Sequence, residues 1–283
     1  MYGGINMAYK IIGDSCCDFT KEEKEKYGII TIPLSLFVDG EEIIDDDNFQ
    51  QLDFIEKVNQ SQQSVKSACP APETYMSAYQ EEGDIYVVTL SSKLSGSYNS
   101  AMVAVDMYEE EFGKKNIHVF DSKSAAAGQH LICKKIMELA EKGITFEEVV
   151  ERVESFIAKM KTYFVLESLE NLRKNGRLSN VKAMVANVLN IKPVMGAKDG
   201  EIIQLGQVRG IHKALTKMVE IMNAEGVNLE EKTLVLSHCN HFERANKVKE
   251  EIIKMTKVKE VIIIDTRGVS TLYANDGGII IAV

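Results

Sequence analysis

Leu90-Ser91-Ser92-Lys93-Leu94-Ser95-Gly96-Ser97-Tyr98-Asn99-Ser100-Ala101 is the stretch on which the reading of this chain turns. The residues before it, Ile85-Tyr86-Val87-Val88-Thr89-Leu90, form an apolar run with strand character. After it, Tyr98, Met102, Val105, Tyr108 and Phe112 recur every three or four residues, the spacing of a helix with one apolar face. A strand, a turn rich in Ser and Gly, and then a helix leave unpaired backbone N–H groups at a concave end. Those donors and the helix dipole attract an anion. Serine hydroxyls at such a turn cap the helix or hold a ligand oxygen, and capping alone accounts for this segment taken by itself.

The same unit recurs on either side. Residues 9–13 are strand-like and end in Asp14-Ser15, residues 29–38 form a second extended run, and residues 117–120 end in Asp121-Ser122. Helical patterns fall at 52–59, 72–82, 97–112 and 125–141. This alternation predicts a parallel sheet flanked by helices. Ligands of such sheets sit beyond the carboxyl ends of the strands. Ser15, Ser91 to Ser97, and Ser122 with Ser124 all follow strand-like runs. The turns therefore gather hydroxyls at one mouth of the sheet, which favours a ligand over simple capping.

The second half is patterned differently. A helix at 146–160 precedes an extended run at 163–166 and helical patches at 169–173 and 181–189. Runs at 191–197 and 201–208 then flank Lys198-Asp199-Gly200, an Asp-Gly hairpin signal. A helix at 212–223, a strand at 233–237, a helix at 243–255 and strands at 258–264 and 278–283 complete the chain. The expected fold class is α/β: an N-terminal parallel-sheet α/β/α domain, residues 1–160, and a C-terminal α+β domain with a mainly antiparallel sheet, residues 161–283. No low-complexity linker separates them, so they should pack closely around a crevice.

Bulk properties remove several classes. With 283 residues, 45% hydrophobic and 27% charged, the chain has the composition of a globular protein. A net charge of -9 with no basic stretch argues against a nucleic-acid surface and against docking on anionic membranes. No apolar run approaches the roughly 20 residues that span a bilayer, so no stable membrane insertion is expected. The first ten residues lack the apolar core of a secretory signal, which makes the cytoplasm the expected location. The five cysteines show no metal-like spacing, and Cys239 between His238 and His241 has no further ligands at useful distance, so free thiols and no metal are expected.

Catalytic patterns are sparse. Neither Ser95 nor Ser97 sits in a G-x-S-x-G elbow, and no histidine stands in a companion motif. His118, His130, His212, His238 and His241 remain free to approach a serine in space, so a serine-dependent acyl hydrolase or transferase stays open. Asp45-Asp46-Asp47 reads as a solvated charged loop rather than a cation site. Neither a P-loop nor a dinucleotide fingerprint is present. Many neutral donors with few acid–base groups fit a carrier better than a catalyst.

The chain resembles the DegV proteins, fatty-acid-binding proteins of mainly Gram-positive bacteria, over nearly its whole length. The matching pieces begin with Asp14-Ser15 and Asp18-Phe19, then Lys66-Ser67 shortly before Pro70. The block at 90–101 and Asp121-Ser122-Lys123-Ser124-Ala125-Ala126-Ala127-Gly128 are stronger. Residues 169–178 follow, with Asn175-Gly176-Arg177 where the family usually has Gly-Gly-Arg, and then Ile191-Lys192-Pro193 and Val208-Arg209. Their order makes the joint match specific.

That resemblance implies one long-chain fatty acid, such as palmitate or oleate, in a tunnel between the domains, with no other cofactor. It also implies a carrier that presents the acyl group to a separate fatty acid kinase for phospholipid synthesis. Carried over by position, Ser67 and Ser95 would hold the carboxylate through their hydroxyls and Gly96 through its N–H. Arg177 and Arg209 match arginines of the site or of the kinase-docking surface. Phe164, Leu166, Leu172, Met184, Val185, Val188 and Leu189 are expected to line the tunnel. Two segments depart from the family pattern. Tyr273-Ala274-Asn275-Asp276-Gly277 has neither His nor Pro where kinase-serving members often carry a His-x-Gly-Pro-Gly-like stretch, and Ser67-Ala68-Cys69-Pro70 replaces a Thr-Ser-Gln-Pro-like one. A lipid-sensing regulatory protein is the further alternative.

The scheme is physically sound. A buried carboxylate is costly unless donors satisfy it, and two hydroxyls with one N–H supply three charge-assisted bonds. At about 0.8 kcal/mol per CH₂, a palmitoyl-length chain gains on the order of 10 kcal/mol on burial before association costs. The tunnel should therefore dominate affinity, and the serines orientation.

Overall fold

The structure, a computed structural model, describes residues 9–178, 190–226 and 228–283. The amino-terminal half opens with β1 (Tyr9–Asp14), α1 (Lys21–Tyr27), β2 (Ile30–Ile32), β3 (Ser35–Val38), β4 (Glu41–Ile44), α2 (Gln51–Gln60) and β5 (Lys66–Ala68). It continues with α3 (Pro72–Ala78), β6 (Asp84–Thr89), α4 (Ser97–Phe112), β7 (Ile117–Asp121), α5 (Ala127–Ala140) and α6 (Phe146–Lys159). After residues 160–161 come β8 (Thr162–Val165), α7 (Glu170–Lys174), β9 (Ile191–Lys198), β10 (Glu201–Arg209) and α8 (Ile211–Ala224). The chain ends with β11 (Thr233–His238), α9 (Phe242–Met255), β12 (Glu260–Asp265), α10 (Gly268–Ala274) and β13 (Ile279–Ala282).

Strands β2-β1-β6-β7 form the expected parallel sheet. The centre of strand β6, residues 85–88, is apolar because both of its faces are covered. Ile85 and Val87 cluster with Tyr75 of α3, Tyr79 at its end, and Ala101 and Ala104 of α4. Tyr86 and Val88 cluster with Ile132 and Ile136 of α5 and Val149 and Val153 of α6. Each of these large side chains contributes roughly 1.5–3 kcal/mol on full burial. Helix α6 starts where a capping box dictates: the Glu148 N–H donates to Thr145 Oγ1, and the Glu148 carboxylate accepts the Thr145 N–H.

The second sheet has the order β10-β9-β8-β13-β11-β12 and is antiparallel except between β11 and β12. Asp199 (φ 51°) and Gly200 (φ 84°) supply the two positive φ angles that a tight hairpin turn requires between β9 and β10. The hairpin tip docks on the other half, because Ser91 Oγ donates to the Gly200 carbonyl at 2.8 Å. A Cβ on Gly200 would lie 2.6 Å from that hydroxyl oxygen, so no side chain fits there. The halves also meet where Ala127 and Leu131 of α5 pack against Val235 and Ala282, and where α10 packs against α2 and β3.

Two sequence expectations are corrected. The extended run at 29–38 is not one strand: it breaks at Pro33-Leu34 into β2, in the parallel sheet, and β3, in a small antiparallel sheet of order β4-β3-β5. Pro33 has no N–H for a ladder, and the Leu34 N–H is taken by Ser15 Oγ at 3.1 Å. The aspartate run is not a solvated loop either. Asp45 is buried, and its carboxylate accepts the N–H groups of Gly268 and Val269 at 2.7 and 2.8 Å. Asp46 accepts the Asn48 N–H and Asp47 pairs with Lys24, so the three carboxylates serve separate partners.

Candidate functional site

Between the halves lies a cavity with about 820 Å³ of atom-free space, part of it open to solvent. Cys16, Leu34, Leu90, Leu94, Ala125 and Ala126 line it from the amino-terminal half, and Phe164, Leu166, Leu172, Ile202, Val269 and Ile280 from the other. Strand pairing explains much of this wall. Thr162 and Phe164 alternate along β8 to one face. Ile280 of β13 is paired with Phe164, and Ala197 of β9 with Ile202 of β10, all of them on the lining.

Polar groups gather at one end of this wall. Ser67 on β5 places its Oγ 2.9 Å from the Tyr273 hydroxyl of α10. Ser95 Oγ accepts the Ser97 N–H at 3.2 Å and lies 3.2 Å from Ser97 Oγ. Arg177 donates from Nε to the Leu94 carbonyl at 3.1 Å and from Nη1 to the Asn175 carbonyl. Its guanidinium stands over the Tyr273 ring, 5.7 Å from the centroid, a cation–π contact. Ser67, Ser95, Arg177 and Tyr273 all line the cavity. Gly96 is the cap residue of α4 beside them, and a Cβ there would lie 2.9 Å from Cys69 Sγ. That close approach lets the segment carrying Ser67 pack onto the helix start.

The other expected residues divide. Phe164, Leu166 and Leu172 line the cavity. Arg209 lies exposed at the end of β10, away from the lining residues. Met184, Val185, Val188 and Leu189 fall in 179–189, outside the described residues, as does the helical patch at 181–189. Ser270 and Tyr273 were missed as site residues because α10 has only seven residues, too few for the spacing of Val269, Leu272 and Tyr273 to mark a helix. The departure from the family pattern at 273–277 was the available signal.

The serine turns do converge, and most of their hydroxyls hold loops. Ser15 accepts from Leu34, Ser91 donates to Gly200, Ser92 donates to Asp121, and Ser122 donates to the Ser124 carbonyl. Ser124 meets Thr162 at 2.7 Å on the cavity wall. The buried Asp14 carboxylate ties the strand ends together, accepting the Leu90 N–H at 2.7 Å, the Cys16 N–H at 3.2 Å and Gln129 Nε2 at 2.7 Å. Burial outweighs these donors and pushes its pKa up to about 6.

An apolar space ending in hydroxyls and one guanidinium suits an amphiphile with a small anionic head. Among the described residues no histidine lines the cavity, no group of three His, Cys, Asp or Glu converges as metal ligands, and no helix is long and apolar enough to cross a membrane. His238 Nδ1 accepts the His241 N–H at 3.1 Å, which accounts for the pair around Cys239.

The family model described as "Uncharacterised protein, DegV family" matches residues 8–283. The chain belongs to the DegV family. A DegV domain-containing protein of Streptococcus gordonii is 34% identical over 278 residues, 97% of this chain and 98% of its own. A DegV family protein of Ruminococcus gnavus, refined with vaccenic acid, is similar at a TM-score of 0.95 and 47% identity, over 98% of this chain and 100% of its own. The Streptococcus pneumoniae Fatty Acid Kinase (Fak) B3 protein, loaded with linoleic acid, is similar at a TM-score of 0.88 and 30% identity, over 97% of this chain and 98% of its own. The two sheets described above are thus the DegV fold.

Proposed function

We propose that this DegV protein binds one long-chain fatty acid in the cavity between two domains, residues 1–160 and 161–283. The carrying observation is the apolar cavity itself, whose polar end brings together Ser67, Ser95 and Arg177 from distant segments. The vaccenic acid of the Ruminococcus gnavus relative supports the ligand class. In this reading Ser67 and Ser95 donate to the carboxylate, the Gly96 N–H adds a third bond, and Arg177 supplies compensating charge. Phe164, Leu166 and Leu172 enclose the chain.

The protein is a cytoplasmic carrier without catalysis of its own, and it presents the carboxylate to a fatty acid kinase. Similarity to the Streptococcus pneumoniae kinase B3 protein supports this, and exposed Arg209 belongs to the docking surface. A serine hydrolase reading lacks a base, since Ser95 Oγ meets Ser97 rather than an imidazole.

Denaturing mass spectrometry of protein purified from a bacterial host tests the reading. A co-purified long-chain fatty acid is expected. A ligand-free preparation that also ignores added palmitate and oleate overturns it.

A further inference from the structure

Behind the polar end of the cavity lies a carboxyl group that the binding scheme leaves unused. Asp14 is wholly buried at the end of β1. Its donors are the N–H groups of Leu90 and Cys16 and the Gln129 amide of α5. The Ser97 hydroxyl approaches it from α4, and Ser97 Oγ sits 3.2 Å from Ser95 Oγ on the cavity wall. Leu90 and Cys16, whose N–H groups this carboxyl holds, both line the cavity, so the carboxyl lies directly behind the wall. The titratable groups facing it are Tyr75 of α3 and the thiols of Cys16 and Cys17, which burial holds in their neutral forms. Asp18, a second buried acid, shares the Cys16 thiol as neighbour. Among the described residues, none of the groups contacting Asp14 is a cation.

Two buried atoms beside it, Gln129 Oε1 and the Tyr75 hydroxyl, have no hydrogen-bond partner among the described residues. The ionised carboxylate uses the Gln129 amide as it stands, with Nε2 donating. A protonated Asp14 donates instead, and turning that amide end for end offers it Oε1. Both protonation states are therefore accommodated.

We propose that Asp14 is a proton-coupled positioning residue, so that docking of a fatty carboxylate at Ser95 draws one proton from solvent onto Asp14. The proposal rests on the fatty-acid reading above. Two carboxylates on either side of one wall of a poorly solvated site repel, and the pair avoids this by holding a proton between them. The free carboxyl already ionises near pH 6, so a modest push carries it through neutrality. While Asp14 is ionised, the Ser97 hydroxyl donates inward to it. Once Asp14 is protonated, Ser97 is released to donate toward Ser95, and the Ser95 proton is left for the ligand. Binding favours the protonated form, so affinity falls as pH rises above about 6 and levels off past the higher value reached in the complex.

Calorimetric titration of the full chain with oleate, at about pH 7 in two buffers of different ionisation enthalpy, counts the protons. Uptake approaching one proton per oleate is expected, with Kd rising up to about tenfold per pH unit at its steepest. Asp14→Asn should flatten that slope and abolish the uptake, whatever its absolute affinity. Oleate binding without proton uptake overturns the coupling and leaves the carrier reading standing, as does an unchanged slope in Asp14→Asn. Absence of oleate binding at any pH removes both. If Asp14→Asn does not fold, the proton count of the unaltered protein decides.

Discussion

Ser67 and Tyr273, 206 residues apart in the chain, meet with their hydroxyl oxygens 2.9 Å apart at the polar end of the cavity. One comes from the small sheet of the amino-terminal half and the other from α10 of the carboxy-terminal half. In the proposed binding mode the phenol orients the Ser67 hydroxyl toward the fatty carboxylate. Tyr273→Phe should therefore weaken fatty-acid binding by about 0.5–1.5 kcal/mol, the net value of one hydrogen bond. Displacement of a fluorescent fatty acid measures it, and an unchanged affinity would show that Ser67 acts without the phenol.

Ser95→Ala should weaken binding by roughly 1–3 kcal/mol, because a buried ligand charge loses a donor. The same displacement assay reads the change. Full affinity in this variant would take Ser95 out of the site.

Helix α10 depends on Asp45. The carboxylate accepts two N–H groups at the helix start, so Asp45→Ala strands both in a buried place. A loss of about 2–4 kcal/mol in urea unfolding is expected, with a smaller loss for Asp45→Asn, which keeps one acceptor. Equal stability in all three proteins would mean that the helix is held by packing alone.

Buried acids also set the pH dependence of stability. Asp14 rises from 3.8 to about 6 on folding, and Asp18 and Asp45 shift upward for the same reason, burial. An acid whose pKa is raised in the fold binds its proton more tightly when folded, so its favourable contribution is lost as pH climbs. For Asp14 that loss runs between about pH 4 and 6 and amounts to about 3 kcal/mol. Glu138 works in the opposite sense: Lys135 and Lys142 hold it low, and its smaller contribution disappears in acid. Unfolding free energy should therefore decline from about pH 4 to 6, and Asp14→Asn should reduce that decline. A flat profile in the unaltered protein would contradict the burial of these carboxyls in their charged form.

Much of the architecture was legible in the chain. Asp199-Gly200 announced its hairpin because that turn needs positive φ at both positions, and the apolar run at 85–90 marked a strand covered on two faces. The serine block at 90–101 pointed to the cavity through Ser95. Asp45 misled because three adjacent acids resemble a charged surface loop, and what buries the first of them arrives 223 residues later. Helix α10 stayed hidden for a related reason. It is only seven residues long, too short for the spacing of Val269, Leu272 and Tyr273 to mark it, and packing against α2, β3 and α7 makes it a helix.

Strands, helices, the differing patterns of the two halves and the serine turns are set by residues close together in the chain, so the sequence by itself determined them. Which hydroxyls face the cavity, and which serve only to tie loops, was decided by the tertiary structure. Ser15 and Ser95 look alike in sequence, yet one is consumed by the Leu34 N–H and the other borders the cavity. The physical reason is that burial and hydrogen-bond pairing are made between segments far apart in the chain, and they exist only once both halves have closed on each other.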